Sequence, residues 1–146
     1  GVEKALSHYE AVLEMKPRDI DLANIYCHIG IAHRERGDFE KAIQNFEIAL
    51  EHNDALKEIY QQLGYSFFKV GKYLEAIEQF EKALEIDPGS AMDYANIGAN
   101  LKAMGQVQIA IPMYKMALEM DPGLEFARNQ LNDLWKGENS IKERRI

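Results

Sequence analysis

Residues 63–88 read LGYSFFKVGKYLEAIEQFEKALEIDP, and Gly64, Gly71 and Lys72 stand among the aromatics of this stretch. A phosphate-cradling loop needs four residues between its glycines and a Ser or Thr after the lysine. Six residues intervene here and Tyr73 follows Lys72, so the nucleotide reading fails. Stepping outward by 34 residues finds Gly30 and Gly37 on one side, Gly98 and Gly105 on the other. The same period relates Tyr26, Tyr60 and Tyr94; Ala42, Ala76 and Ala110; Phe46, Phe80 and Tyr114; and Leu50, Leu84 and Leu118. The glycines are punctuation in a repeat.

Each repeat, counted from Ala23, Lys57 and Ala91, reads as two helices. In the middle one the first helix spans about Lys57 to Val70 and the second about Tyr73 to Ile86, with Gly71 and Lys72 as the hinge. Gly37, Gly71 and Gly105 fall where a helix closes in the left-handed conformation, and Ser90 is placed to cap the helix that follows it. At 100° per residue, positions four, seven, eight and eleven (Tyr60, Leu63, Gly64 and Phe67) share one arc of the first helix. Ala76, Phe80, Ala83 and Leu84 form the facing stripe. Glycine inside a helix costs about 1 kcal/mol relative to Ala, so its return at position eight calls for a packing reason, the close approach of two helices.

The composition bounds the function. A chain of 146 residues with 47% hydrophobic content supports a real core. A net charge of −7 argues against a nucleic-acid surface, which rests on clustered Lys and Arg, and favours a neutral or basic partner. The single Cys27 makes neither a disulfide nor a cysteine zinc site, which suits a cytoplasmic setting. No apolar run approaches the roughly 18 residues of a membrane span. The chain starts inside a helical pattern and reads as a fragment of a longer protein.

The stretch YQQLGYSFFKVGKYLEAIEQFEKALEIDP, residues 60–88, resembles the tetratricopeptide repeat, with its aromatic, Leu-Gly, aromatic, Ala, Phe, Ala and Pro at set positions. The resemblance covers three units, 23–56, 57–90 and 91–124. Residues 1–18 match the second helix of a partial repeat, with Ala5 and Tyr9 in the Ala and Phe places; 125–136 resemble a capping helix, and 137–146 read as a polar tail whose basic end, KERRI, is expected to be disordered. Three extra residues near DID lengthen the first connection, Asp54 replaces a turn proline, and Pro112 is expected to distort its helix. Leu6, Tyr9, Val12 and Leu13 are more than a lone half-repeat is expected to cover, which leaves self-association through that helix open. The resemblance implies an all-α, right-handed superhelical solenoid of antiparallel helix pairs, non-catalytic, with a concave face lined by first helices that binds a peptide or protein segment.

In this family the ligand contacts come mainly from positions two, five, nine, twelve and thirteen of the first helices. Carried over, these include Cys27, Ile31 and Arg34; Gln61, Tyr65, Phe68 and Lys69; Met92, Ala95 and Lys102; Phe126 and Asn129. Position six adds a polar series, His28, Gln62, Asn96 and Gln130, able to hold a peptide backbone. The residues expected to contact a peptide are Ile31, Gln61, Gln62, Tyr65, Phe68, Met92, Asn96, Phe126 and Asn129. The family's clamp for the acidic tails of chaperones does not carry over: its Lys, Asn, Asn, Lys and Arg places hold Cys27, Ile31, Gln62, Met92 and Asn96.

Catalysis finds no support. His8, His28, His33 and His52 lack partners at the three- or four-residue spacing that gathers metal ligands on a helix. Cys27 and His28 point about 100° apart, and the glutamates of the second helices read as a solvated face. No cofactor, metal or catalytic residue is therefore expected. Two other readings stay open: a substrate-recruiting region of a larger enzyme such as a glycosyltransferase, or a self-assembling module.

Overall fold

The computed structural model describes residues 1–145, the side chains of Asp19 and Ile20 excepted. Among them are eight α-helices and no strand: α1 (Val2–Glu14), α2 (Asp19–Glu35), α3 (Phe39–His52), α4 (Lys57–Lys69), α5 (Tyr73–Ile86), α6 (Ala91–Ala103), α7 (Val107–Met120) and α8 (Glu125–Arg144). They form two compact units, one of α1 to α5 and one, from Asp87 onward, of α6 to α8.

Three hinges are built alike. Gly37, Gly71 and Gly105 have φ of 85°, 79° and 80°, the left-handed region in which a Cβ is strained. Each glycine N–H bonds three residues back, to Arg34, Phe68 and Lys102, and the next N–H reaches five back, to His33, Phe67 and Leu101, at 2.9 to 3.1 Å. Those bonds satisfy carbonyls that a helix end would leave open. The chain then reverses into the second helix within two residues.

The reason for glycine at position eight is a ring. A Cβ on Gly30 would lie 2.5 Å from Phe46, one on Gly64 2.6 Å from Phe80, and one on Gly98 3.0 Å from Tyr114. The aromatic of each second helix thus rests on the bare backbone of its own first helix. Phe46, Phe80 and Tyr114 are all but fully buried there, and burying such a ring contributes about 2–3 kcal/mol. The alanines beside them, Ala42, Ala49, Ala76, Ala83, Ala110 and Ala117, have no exposed surface.

The buried arc of the first helix is wider than its periodicity suggested. Position three (Ile25, Ile59, Asp93) and position ten (Ala32, Ser66, Asn100) are also buried; in the first unit this is because α2 and α4 pack on the preceding second helices α1 and α3 as well as on their own α3 and α5. Ser90 caps α6 as expected, its Oγ accepting the Asp93 N–H at 3.3 Å. The turns between repeats use a different device. Side-chain oxygens of Asn53, Asp87 and Asp121 accept the N–H two residues on, at 3.0, 2.9 and 3.0 Å. This explains how the first such turn holds without a proline at position 54.

Four expectations meet the structure with mixed outcomes. The extra residues at DID extend a helix rather than the connection: α2 has 17 residues against 13 for α4 and α6. The last helix does not stop at 136. It runs through Gly137 to Arg144, with Lys142 and Arg144 in the final turn complementing its dipole. Only Ile146 of the expected tail lies outside the described residues. Helix α7 is continuous through Pro112, which sits on its exposed side. Finally, α1 is covered in part: Leu6 is buried with Ile25, Ile29 and Ala32 of α2, while Val2, Tyr9, Val12 and Leu13 pack against that cluster and stay partly exposed.

Candidate functional site

On α4, Glu58, Gln62, Tyr65 and Lys69 fall within an arc of about 60°, away from the core. Tyr65 is 42% exposed, yet it is held on several sides. The Arg34 guanidinium, from α2, lies 5.6 Å from its ring centroid and the Lys69 ammonium 5.5 Å. The Phe39 ring, at the start of α3, meets it edge-on at 6.3 Å. Arg34 is itself fixed, donating from Nη1 to Gln62 Oε1 at 2.6 Å. Each cation over an exposed ring contributes about 0.5–1 kcal/mol, enough to orient the tyrosine. Neither Arg34 nor Lys69 makes an ion pair among the described residues.

The other expected contacts distribute unevenly. In the first unit Ile31 and Gln61 are half-buried, and the Phe68 ring packs on Tyr73 across the hinge at 5.8 Å. In the second unit Met92 is 45% exposed and Asn129 is open, whereas Asn96 is half-buried and its backbone carbonyl accepts from Asn100 Nδ2 at 2.8 Å. Phe126 lies edge-on to Tyr114 at 6.3 Å and joins the core of its unit. Position five is not open where Cys27 and Ala95 occupy it, since both are buried. Burial, reinforced by the Glu58 carboxylate and opposed by Arg34, pushes the Cys27 thiol up to about 11, which leaves it unreactive near neutrality.

Position six is not a uniform ladder. His28 turns to its own helix, Nδ1 to the Asn24 carbonyl at 2.7 Å, with its ring 5.7 Å from Tyr9. Gln62 and Gln130 are instead held by a cation from the preceding repeat, for Lys102 Nζ donates to Gln130 Oε1 at 2.6 Å just as Arg34 does to Gln62. Both pairs are 28 residues apart, position twelve to the next position six. That spacing of a cation and an amide was a readable signal, and the sequence reading did not combine the two.

A family model of the tetratricopeptide repeat matches residues 21–89 and 57–122, well over half of the chain. The chain belongs to the tetratricopeptide repeat family. Solved structures agree on the fold. MamA superposes with a TM-score of 0.85 at 21% identity, covering 94% of this chain and 79% of that one. The Arabidopsis OM64 tetratricopeptide domain gives 0.78 at 19%, covering 82% and 98%. The first such domain of Spaghetti (RPAP3), bound to the HSP90 peptide SRMEEVD, gives 0.76 at 18%, covering 82% and 94%. No curated protein matches the sequence.

The tetratricopeptide array has a further open surface in its second unit. Between α7 and α8, Ile111, Leu131, Leu134 and Trp135 line a shallow groove with Lys115 and Glu138 at its rim. Leu131 and Trp135 stand where the middle repeat has buried Leu63 and Phe67, and Asn132 stands at the glycine position. An asparagine there removes the bare seat that a ring needs. Among the described residues no group of His, Cys, Asp and Glu is arranged to hold a metal, and no helix is long and apolar enough to cross a membrane.

Proposed function

We propose that this tetratricopeptide chain is a non-catalytic scaffold that captures a peptide or protein segment on the open faces of its first helices. The observation that carries the reading is Tyr65: an aromatic exposed on that face, yet oriented by Arg34, Lys69 and Phe39. A large ring already ordered loses little entropy on binding, which is what makes aromatics effective contact points. Gln62, oriented by Arg34, offers its amide NH2 to a peptide carbonyl. Ile31 and Gln61 extend the face in the first unit; Met92, Asn96 and Asn129 offer a separate stretch in the second. Phe68 and Phe126 have a packing role that accounts for their size. The peptide bound to the RPAP3 domain of similar fold supports the class of function.

The test is affinity capture from a lysate of the source cell with three folded baits: wild type, Tyr65→Glu, and Leu74→Glu. Leu74 is 67% exposed on a second helix, so it controls for a new surface charge. A protein retained by wild type and Leu74→Glu but lost by Tyr65→Glu is the expected result. Equal retention by all three would place binding elsewhere.

A further inference from the structure

We infer that the Tyr65 site selects an acidic residue: it seats an aspartate or glutamate side chain of an extended peptide between the Arg34 guanidinium and the Lys69 ammonium. The inference rests on the peptide-binding reading and adds the charge of the partner at this place. It runs against the expectation drawn from the net charge of −7, because net charge describes the whole surface and recognition is local.

Arg34 and Lys69 both lie within 6 Å of the Tyr65 centroid, so two positive charges border one exposed ring. Three cations elsewhere hold carboxylates: Arg18 with Asp21, Arg36 with Glu3 and Asp38, and Lys82 with Glu78. Arg34 and Lys69 are paired with none of the many available carboxylates. Arg34 bonds only the neutral Gln62 oxygen through Nη1, and the fork of a guanidinium has further N–H groups suited to a carboxylate. The exposed part of the Tyr65 side chain supplies apolar surface beside the two cations for the methylenes of an acidic side chain. A carboxylate placed there gains two charge-assisted hydrogen bonds without breaking an existing ion pair.

Glu58 is the carboxylate on the same arc, and it limits the site in a useful way. It lies about 10 Å along the helix axis from Tyr65, and it pairs with neither cation. The face is therefore positive at its Tyr65 end and negative at its Glu58 end, which favours a peptide with its acidic residue at the first and a neutral or basic one at the second.

The measurement is a backbone amide NMR titration of the full chain with three ten-residue peptides, alternating Glu and Leu, Gln and Leu, or Lys and Leu. The expected result is perturbation of Gln62, Tyr65 and Lys69 by the Glu peptide, with affinity at least about tenfold above that of the Gln peptide. Lys69→Met should abolish most of that preference while the free variant keeps the helical circular-dichroism spectrum of wild type. If the Glu and Gln peptides perturb the same face equally, the acidic preference is wrong and the peptide-binding reading stands. If none of the three perturbs this face at millimolar concentration, both are wrong.

Discussion

Arg34 in the first unit and Lys102 in the second occupy the same place in their repeats and make the same bond, 2.6 Å to Gln62 and 2.6 Å to Gln130. What surrounds the bond is different. In the first unit Phe39, Tyr65 and Lys69 gather at it; at the equivalent positions two repeats later the sequence has Val107, Asp133 and Gly137. One rung carries an exposed ring and a second cation, the other an acid and no side chain. The repeat sets where a bond between neighbouring helices forms, and the substituents around it decide whether that place can recognise anything. A double variant, Asp133→Tyr with Gly137→Lys, would sharpen this by installing the first unit's chemistry on the second.

The largest effect is expected at the glycine seats, where the two units also differ. A Cβ on Gly64 would press to 2.6 Å on the Phe80 ring, and one on Gly98 would reach only 3.0 Å from Tyr114. Overpacking of this kind costs about 1–3 kcal/mol, against a gain of about 1 kcal/mol in helix propensity for replacing glycine. Gly64→Ala should therefore lose about 2 kcal/mol in urea unfolding, while Gly98→Ala stays near neutral. Equal losses would mean that the backbones, not the rings, set the seat. Gly64→Leu should be worse than either.

Next is the ring itself. Tyr114 replaces the phenylalanine of the other two repeats, and its hydroxyl is buried with no hydrogen-bond partner. Burial alone pushes this phenol up to about 12. Tyr114→Phe should raise stability by about 1 kcal/mol by removing an unsatisfied group, and Phe80→Tyr should lower it by about 2 kcal/mol by creating one. Melting temperatures of the two variants in opposite directions would support this; a destabilised Tyr114→Phe would show that the hydroxyl has a use in the folded protein.

These contrasts also show what the sequence could carry. The period of 34 residues, the hinge glycines and the alanine and aromatic stripes were legible because each answers to geometry within one repeat. The wider buried arc, with Ile59 and Ser66 in it, was not, since it depends on the second helix of the preceding repeat. The length of α8 was hidden for a related reason: Gly137 and the basic run look like an ending, but the helix continues past them with its last turn basic. Among the candidate contacts, Tyr65 was visible as an aromatic on the open face. Its setting was not, because Arg34 and Phe39 come from two other helices. Phe68 and Phe126 carried the same signal as Tyr65 and turned out to pack on Tyr73 and Tyr114.

The smallest effect expected concerns position eleven, where the first repeat has His33 and the next two have Phe67 and Leu101. Burial, then the Lys41 charge and further Arg36, lowers the His33 pKa below 6.5, although the Asp38 carboxylate, 4.0 Å from Nδ1, and Glu3 pull the other way. A histidine depressed in the folded state takes up its proton more readily when unfolded, so stability is intact above about pH 6.5 and falls as the pH drops toward the folded pKa. Substituting the residue of the third repeat, His33→Leu, removes that titration. Urea unfolding at pH 7.5 and at pH 5.5 should show a smaller loss on acidification in the variant than in wild type. An equal loss in both would assign the acid sensitivity to other groups and leave His33 as an apolar filler with the same part as Phe67 and Leu101.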